Sequence, residues 1–406
     1  MKTSGQAQLG KLYFKQIFAK HWETYKEEYN PRDIEIETVE KMLNCGKLEY
    51  GYTLYMCTEC GCWRKVPFSC KTRICPTCGI IRIEDWSEKI KSRLFSGVEH
   101  RHIVLTTPRE LWGYFQCDMN LLKVLSDAGV ELMYDIIRFY RHREGITPGI
   151  ICVIQTAGRA ANFNPHLHLI VTEGGLDKNN HWVNSNFFYY KTLGKKWQYF
   201  LLTKLQEHLP KTEEVKQLIS SLFEKRRFIT HCEQEKVRKK DLAAYIVKYI
   251  VSLPIALSRI ISYDDENVTY YYVSHYTGKK EVVTISALEF IHRIIQHIPE
   301  KHFKLIREAG LYARRMYKAV RLIIDNIMHS LKRISESILT IPEIILPNWR
   351  ERIKRKFNKD PCICPNCKGE MTLWEIWVKG KKIYQEYKEE KETPIRITKW
   401  DYESAQ

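Results

Sequence analysis

Two histidines separated by one residue have the type and spacing needed to bind a metal ion. His166-Leu167-His168 lies within an apolar run that predicts a β-strand. Residues i and i+2 of a strand point to the same face, about 6.6 Å apart along it, so two imidazoles there can converge on one cation. Taken alone, the pattern is better explained by histidines packed into a core.

Two tyrosines provide a second element. Residues 241–250 have a helical pattern, in which Tyr245 and Tyr249 occupy positions i and i+4. These positions share one helix face, about 6 Å apart along the axis, with Lys248 beside them. A buried aromatic stripe explains the tyrosines alone better, so only their combination with the histidines indicates chemistry.

Cysteines are numerous and clustered. Of the thirteen in 406 residues, ten lie in the windows 45–78 and 362–367. Cys57-x2-Cys60 is followed after fourteen residues by Cys75-x2-Cys78, a spacing close to that of zinc ribbons. We predict that these four thiolates bind one structural zinc ion in a tetrahedral site, in preference to remaining free and buried.

The other clustered cysteines do not complete a site within their own segment. Cys362-x-Cys364-x2-Cys367 forms one knuckle near the end of the sequence, and no second pair follows it. We predict a second zinc site at these residues that requires a ligand from a distant part of the chain. Cys62 and Cys70, between the first two knuckles, are predicted to pack rather than to bind metal.

The order of these motifs resembles the HUH endonuclease superfamily. Within it, the chain resembles the two-tyrosine rolling-circle transposases of the insertion-sequence-ninety-one type. The cysteine module comes first, and the resemblance extends from it to residues 360–361. The motifs that follow the cysteine module are 106–112 (TTPRELW), 155–159 (QTAGR), 164–176 (NPHLHLIVTEGGL), 245–250 (YIVKYI) and 287–293 (ALEFIHR).

The resemblance implies a nuclease that cuts single-stranded DNA and becomes covalently attached to its 5′ end. It implies that His166 and His168 hold a divalent cation, Mg²⁺ or Mn²⁺, and that Tyr245 and Tyr249 are the nucleophiles. Lys248 would then stabilise negative charge on the phosphate or on the departing oxygen.

One position departs from the family pattern. Gln155 stands where the family has a further histidine. The sequence leaves open whether Gln155 is a third ligand through its amide oxygen, which suits Mg²⁺ or Mn²⁺, or a polar strand residue.

The implied partners are single-stranded, hairpin-bearing DNA at mobile-element ends and target DNA, and the oligomeric state stays open. Two other functions are compatible with the same residues. One is a plasmid replication initiator or relaxase with HUH chemistry, and the other is a zinc-dependent DNA-binding regulator without catalysis.

Basic residues near aromatic rings indicate where DNA binds. The stretch between the first two knuckles carries Trp63 and several cations, which suit base stacking and phosphate contacts, although a solvated basic surface explains them nearly as well. Residues 301–360 contain 15 Lys or Arg against 6 Asp or Glu, a net of +9. The predicted DNA-contacting residues are Arg64, Lys65, Lys71, Arg73, Arg314, Arg315 and Lys318.

Composition agrees with a multidomain DNA-binding protein. The formal net charge of +17 favours a polyanionic partner. No apolar run approaches the roughly 18–20 residues of a spanning helix, and the start lacks the apolar stretch of a signal peptide, so no membrane partner and a cytoplasmic, nucleoid-associated location are expected.

The helical and strand-like segments around these motifs predict an α+β fold. It has an HUH-type nuclease domain with a central antiparallel sheet flanked by helices, a small N-terminal zinc module and a helical, basic C-terminal region. The predicted organisation is N-terminal helices (1–47), a zinc-binding DNA-binding module (48–95), a nuclease domain (96–300), a basic helical region (301–360) and a tail with the single knuckle (361–406).

Overall fold

The computed structural model describes residues 4–139, 145–184, 190–232, 253–274, 277–334, 350–351, 354, 360 and 362–385. Its α-helices are α1 (Ser4–Tyr29), α2 (Asp33–Leu43), α3 (Gly79–Arg93), α4 (Trp112–Cys117), α5 (Leu121–Phe139), α6 (Tyr190–His208), α7 (Glu213–Glu224), α8 (Ala287–Ile295) and α9 (Tyr317–Ile334). Its strands are β1 (Gly51–Cys57), β2 (Trp63–Pro67), β3 (His100–Thr106), β4 (Thr147–Ala157), β5 (Phe163–Leu176), β6 (Trp182–Asn184), β7 (Thr230–Cys232), β8 (Ile260–Tyr263), β9 (Asn267–Val273), β10 (Lys280–Ser286), β11 (Ile306–Gly310), β12 (Met371–Val378) and β13 (Lys381–Gln385).

A central antiparallel sheet contains the histidine strand. Its strands lie in the order β11-β4-β5-β3-β7, and β6 pairs with β5. β4 and β5 are rich in consecutive apolar residues and are buried along almost their whole length, as expected of strands covered on both faces. The mixture of helices and antiparallel sheet confirms the predicted α+β class. None of the described helices is long and apolar enough to cross a membrane.

Helices pack on both faces of the central sheet. α5 and α6 contribute Leu132 and Trp197 to the core on one face, and α9 contributes Ile324 to the core on the other. Leu167, between the two histidines, belongs to the α5 side. A Cβ atom at Gly129 of α5 would lie 2.5 Å from Leu167 Cδ1, so glycine there permits a close approach of helix and strand.

The N-terminal helices belong to a second core. Helices α1 and α2 pack with α8 and with the three-stranded sheet β10-β9-β8. Large side chains of this core include Phe14, Phe18, Tyr270 and Phe290. Three cysteines of the first window are buried in the same core: Cys45, Cys75 and Cys78.

The two ends of the chain meet in a third sheet, which we call the chain-end sheet. Its order is β13-β12-β1-β2, and β1 pairs with β12 from Gly51↔Val378 to Cys57↔Met371. The sequence predicts two separate units here, a zinc-binding module (48–95) and a tail with the single knuckle (361–406). The pairing differs because it joins strands more than 300 residues apart, a contact that no local pattern reports.

The region 301–360 also differs from the predicted helical region. Residues Ile306–Gly310 form β11, which pairs with β4 from Ile306↔Val153 to Gly310↔Gly149. Helix α9 then packs on the same sheet. The central sheet therefore continues past residue 300, where the nuclease domain was predicted to end.

Candidate nuclease centre and cysteine tetrads

The histidine pair lies on a central strand of the sheet. β5 pairs with β3 on one side and with β4 on the other, so that His166 lies opposite both Thr106 and Gln155. Directly opposite residues of antiparallel strands point to one face, and so do residues i and i+2 of one strand. His166, His168 and Gln155 therefore share a face, and the two imidazole centroids are 5.0 Å apart.

The hydrogen bond of His166 fixes its tautomer. Nδ1 of His166 lies 2.7 Å from the backbone oxygen of Asn164. Because a carbonyl oxygen only accepts, Nδ1 carries the proton and donates it. Nε2 of His166 therefore keeps its lone pair, as a metal ligand requires.

His168 lies between an amide and a third histidine. Its Nε2 is 2.8 Å from Oε1 of Gln155, and its Nδ1 is 2.9 Å from Nε2 of His102. Because the amide oxygen only accepts, Nε2 of His168 donates to Gln155, and Nδ1 accepts from Nε2–H of His102. Both His168 and Gln155 are buried, at 6% and 9% exposure. The three side chains form one chain of hydrogen bonds.

His102 is a site residue that the sequence analysis missed. It lies on β3, and its ring stacks on that of His168 with centroids 5.2 Å apart and planes 3° apart. A signal was present, because His100 and His102 repeat the i, i+2 pattern of the histidine pair in a neighbouring strand. His102 contacts the histidine pair, whereas His100 forms a hydrogen bond of 2.6 Å with the hydroxyl of Tyr312.

Burial keeps both histidines of the pair neutral. Desolvation, partly offset by the Asn164 carbonyl, lowers the pKa of His166. Desolvation first, and then the neighbouring His166 and His102, lower the pKa of His168 well below its ordinary value. Neutral imidazole is the form that binds cations, so the environment favours ligation over protonation at neutral pH.

The donor set fits a divalent cation. It offers two imidazole nitrogens and one amide oxygen on one sheet face. Imidazole suits transition metals and amide oxygen suits Mg²⁺ or Mn²⁺, so the mixed set fits Mn²⁺ at least as well as Mg²⁺.

The predicted nucleophiles lie outside the described residues. Tyr245, Tyr249 and Lys248 fall in the segment 233–252. The chain reaches this segment through β7, which pairs with β3 at Ile103–Leu105, on the opposite side of β3 from the histidine strand.

Eight cysteines form two tetrads. In each, the four sulfur atoms lie within 4.8 Å of one another. The core tetrad consists of Cys45, Cys70, Cys75 and Cys78. The chain-end tetrad consists of Cys57, Cys60, Cys364 and Cys367.

The sulfur spacing fits tetrahedral zinc. Zn–S bonds of about 2.3 Å at tetrahedral angles place sulfur atoms about 3.8 Å apart. The chain-end tetrad has Cys57 and Cys367 sulfurs 3.4 Å apart and Cys60 and Cys364 sulfurs 3.6 Å apart. In the core tetrad, the sulfurs of Cys70 and Cys78 are also 3.6 Å apart.

The backbone around the last knuckle favours thiolate. The N–H of Cys367, followed by that of Asn366, lowers the pKa of Cys364 to about 6. A thiolate is the form that binds zinc.

The prediction of one site at Cys57, Cys60, Cys75 and Cys78 is wrong, because each knuckle lies in a different tetrad. The distant partner predicted for the last knuckle is the Cys57–Cys60 knuckle itself. Of the three cysteines predicted there, Cys364 and Cys367 join the tetrad and Cys362 does not.

Cys70 is a tetrad member rather than a packing residue, whereas Cys62 packs beside the chain-end tetrad. Spacing revealed the knuckles but not their partners, because knuckles pair through tertiary structure. Cys45 was missed because it has no second cysteine two or three residues away.

The predicted DNA contacts of the first cysteine window divide into two groups. Arg64, Lys65 and Lys71 are exposed, as phosphate contacts require. Arg73 is only 9% exposed and lies near buried His297, whose pKa it helps to lower. The prediction that Arg73 contacts DNA is therefore wrong for this conformation.

The basic residues before and within α9 are accessible. Arg314, Arg315 and Lys318 are exposed, and Arg314 lies 3.5 Å from a carboxylate oxygen of Glu308. These residues keep their predicted role as candidate phosphate contacts.

Comparison with known proteins shows a relationship across most of the chain. A family model described as a putative transposase matches residues 149–319, and one described as a transposase zinc-binding domain matches residues 17–107. The transposase for insertion sequence element IS801 of Pseudomonas savastanoi pv. phaseolicola is 31% identical over 311 residues, which are 73% of this chain and 74% of that protein. Putative transposase y4qJ of Sinorhizobium fredii (strain NBRC 101917 / NGR234) is 23% identical over 387 residues, which are 89% of this chain and 94% of that protein. No solved structure matches the chain.

These matches define a DNA-cleaving enzyme that binds DNA at insertion-sequence ends. The chain belongs to the transposases of the insertion-sequence-ninety-one type and carries their zinc-binding domain near its N-terminus.

Proposed function

We propose that this transposase cuts and rejoins single-stranded DNA by rolling-circle chemistry, through a 5′-phosphotyrosine intermediate. The observation that carries the proposal is the convergence of His166, His168 and Gln155 on one sheet face. Membership of the transposase family supports a DNA-cleaving role, and the spacing of Tyr245 and Tyr249 supports two nucleophiles on one helix face.

His166, His168 and Gln155 would hold Mg²⁺ or Mn²⁺. When bound, such a cation polarises the scissile phosphate and offsets charge that develops on it. His166 already carries its proton on Nδ1, so its Nε2 is ready to bind.

His168 has to change tautomer before its Nε2 can bind. The proton on Nε2 moves to Nδ1, which then donates to Nε2 of His102. His102 in turn carries its own proton on Nδ1. The number of protons on the two rings is unchanged, and Gln155 is released from its hydrogen bond to His168, which frees its oxygen.

Tyr245 or Tyr249 would attack the phosphorus atom. Forming phenolate at pH 7 from a hydroxyl with a pKa of about 10 costs about 4 kcal/mol. Attack forms the phosphotyrosine bond and breaks the bond to the 3′ oxygen, which departs, takes up a proton and leaves as a hydroxyl. Lys248 stabilises negative charge on the phosphate or on the departing oxygen.

The two tyrosines allow two consecutive cuts. One holds the 5′ end of the first strand while the other attacks again. The phosphotyrosine keeps the bond energy of the original phosphodiester, so a free 3′ hydroxyl can rejoin it without a nucleoside triphosphate.

We propose that both cysteine tetrads hold structural zinc. Four thiolates complete a tetrahedral shell and leave no open position for a reacting group. We therefore assign DNA cleavage to the histidine site and a structural role to the two tetrads.

A covalent-trapping experiment tests the proposal. A single strand from an element end is labelled at its 3′ end, because the covalent product keeps that end, and is incubated with the full chain and Mn²⁺. We expect an adduct on a denaturing gel that EDTA, His168→Ala or the double substitution Tyr245→Phe with Tyr249→Phe abolishes, and that Tyr199→Phe, an exposed tyrosine of α6, leaves intact.

Two results would overturn the proposal. An adduct that persists in the double tyrosine variant would show that neither Tyr245 nor Tyr249 is the nucleophile. Intact DNA binding with no adduct from the native chain would favour a DNA-binding protein without this chemistry.

A further inference from the structure

One face of the chain-end sheet carries a row of aromatic and basic side chains. The register places Tyr52 opposite Trp377, Leu54 opposite Lys65, and Met56 opposite Trp63. Opposite and alternate residues share a face, so Trp63, Lys65, Tyr52 and Trp377 line the same side.

The rings and the ammonium group of this row are in contact range. The Lys65 ammonium lies 4.7 Å from the ring centroid of Tyr52 and 5.6 Å from that of Trp63. The rings of Tyr52 and Trp377 stack with centroids 6.2 Å apart and planes 14° apart. Trp63 is 60% exposed, which is unusual for a tryptophan that serves only to fill a core.

Charge on this sheet favours an anionic ligand. Residues 51–57, 63–67 and 371–385 contain five basic residues and a single acidic one. The acidic residue, Glu375, accepts a hydrogen bond from Trp377 Nε1 at 2.7 Å and lies 3.5 Å from the Lys382 ammonium. Of the five basic residues, the register places Lys65 and Lys382 on the aromatic face, whereas Arg64 and Lys381 lie on the other face and Lys379 lies in the turn between β12 and β13.

The sheet has little hydrophobic core to hold its strands together. The buried cluster at the chain-end tetrad comprises Cys57, Cys364 and Met371, with Tyr55 and Cys62 packed against it. Small modules without a core depend on metal or covalent links for their stability. The tetrad takes two ligands from each end of the chain, so a metal ion there would fasten β12 to β1.

We propose that this face binds unpaired bases of DNA by stacking, and that zinc in the chain-end tetrad holds the two chain ends in the register that the face requires. Stacking rings beside basic groups are the features that bind single strands without reading their sequence. The choice of a single strand rests on the proposed function, whereas the site itself lies on a different sheet from the histidines.

Binding without cleavage tests the stacking face. The full chain is titrated in EDTA-free buffer without added Mg²⁺ or Mn²⁺ against a fluorescent oligo-dT strand and against a duplex of equal length. Stacking on one ring predicts that Trp63→Ala binds the strand about 5-fold to 150-fold more weakly, that Trp63→Phe restores most of the affinity, and that duplex binding is little changed.

Tyr199→Ala is the matched control, because Tyr199 is 59% exposed but lies on α6. Single-strand affinity of Trp63→Ala within twofold of the native chain would overturn the proposal. Equal losses for strand and duplex would also overturn it, since bases are not accessible for stacking in a duplex. Normal adduct formation by Trp63→Ala at saturating DNA would show that the substitution weakens DNA binding without impairing the nuclease chemistry.

Zinc content tests the role of the chain-end tetrad. The native chain should hold two zinc ions, and Cys364→Ser with Cys367→Ser should hold one and bind the single strand as weakly as Trp63→Ala. Cys62→Ser is the control, because Cys62 packs beside the tetrad without belonging to it, and should keep both ions.

Mn²⁺ binding at the histidine site, measured on the same samples, checks that the rest of the chain is folded. Two zinc ions in the Cys364→Ser, Cys367→Ser variant would overturn the proposal. So would the loss of one ion with unchanged single-strand affinity and unchanged Mn²⁺ binding.

Discussion

Replacing His102 with alanine should weaken Mn²⁺ binding although His102 is not itself a proposed ligand. In the metal-binding tautomer, Nδ1–H of His168 donates to Nε2 of His102, the atom that lies 2.9 Å away. Alanine at position 102 removes this acceptor, and His168 is only 6% exposed, so water does not readily replace it. The metal-binding tautomer of His168 then loses the hydrogen bond that stabilises it.

The size of the effect follows from two estimates. Leaving a buried donor without this acceptor costs about 1–3 kcal/mol. Loss of a hydrogen-bond partner behind a metal-binding histidine weakens affinity about 10-fold to 100-fold, which corresponds to about 1.4–2.7 kcal/mol. The two ranges overlap, so we expect the dissociation constant for Mn²⁺ to rise by one to two orders of magnitude.

The assay is a Mn²⁺ titration followed by electron paramagnetic resonance, with both Tyr245 and Tyr249 changed to phenylalanine so that no cleavage occurs. His102→Gln should recover part of the affinity, because its amide oxygen can accept from Nδ1–H. His100→Ala is the control, since His100 lies on the same strand and face but bonds Tyr312. Unchanged affinity in His102→Ala, or an equal loss in His100→Ala, would show that His102 does not support metal binding by His168.

The basic residues of β2, the core tetrad and buried His297 each give a testable expectation. Arg64→Ala with Lys65→Ala should lower the slope of log affinity against log salt by up to about 1.4 for single strands, if both contact phosphate, whereas Arg73→Lys should leave the slope unchanged. Removing zinc from the core tetrad with a chelator should destabilise the core that contains Cys45, Cys75 and Phe14, seen as a lower thermal midpoint that added zinc restores. Burial lowers the pKa of His297 to about 3, so the unfolded state binds more protons below pH 6.5 and stability is lost as the pH falls. The loss from this group between pH 7 and pH 4.5 should be about 3 kcal/mol in urea unfolding, and His297→Gln should remove it.

The sequence was most informative where a pattern is local. The strand with His166 and His168 was recognisable because apolar residues surround an i, i+2 pair. Helix α7 (Glu213–Glu224) also begins at a local signal, because the Thr212 side chain accepts a hydrogen bond from the N–H of Val215. The knuckles were recognisable because two thiolates three residues apart make one tight turn.

Long-range pairing was not predictable from one sequence. Cys57 and Cys60 were assigned to Cys75 and Cys78, whereas they lie with Cys364 and Cys367, because nothing in the spacing records which knuckles meet. The Ile306–Gly310 strand was hidden in a basic region, since its pairing with β4 compensates for its polar composition. Arg73 looked like a DNA contact because side-chain burial cannot be read from charge.

The peptide that carries the covalently bound nucleotide identifies the nucleophile. Trypsin cuts after Lys240, Lys248 and Arg259, so it releases Tyr245 in the peptide 241–248 and Tyr249 in the peptide 249–259. The adduct is formed with Mn²⁺, digested with nuclease and trypsin, and analysed by mass spectrometry. We expect a nucleotide attached through its 5′ phosphate to one or both peptides, and none when His166 is alanine. A nucleotide on any other peptide, or a 3′ linkage, would show that Tyr245 and Tyr249 are not the nucleophiles.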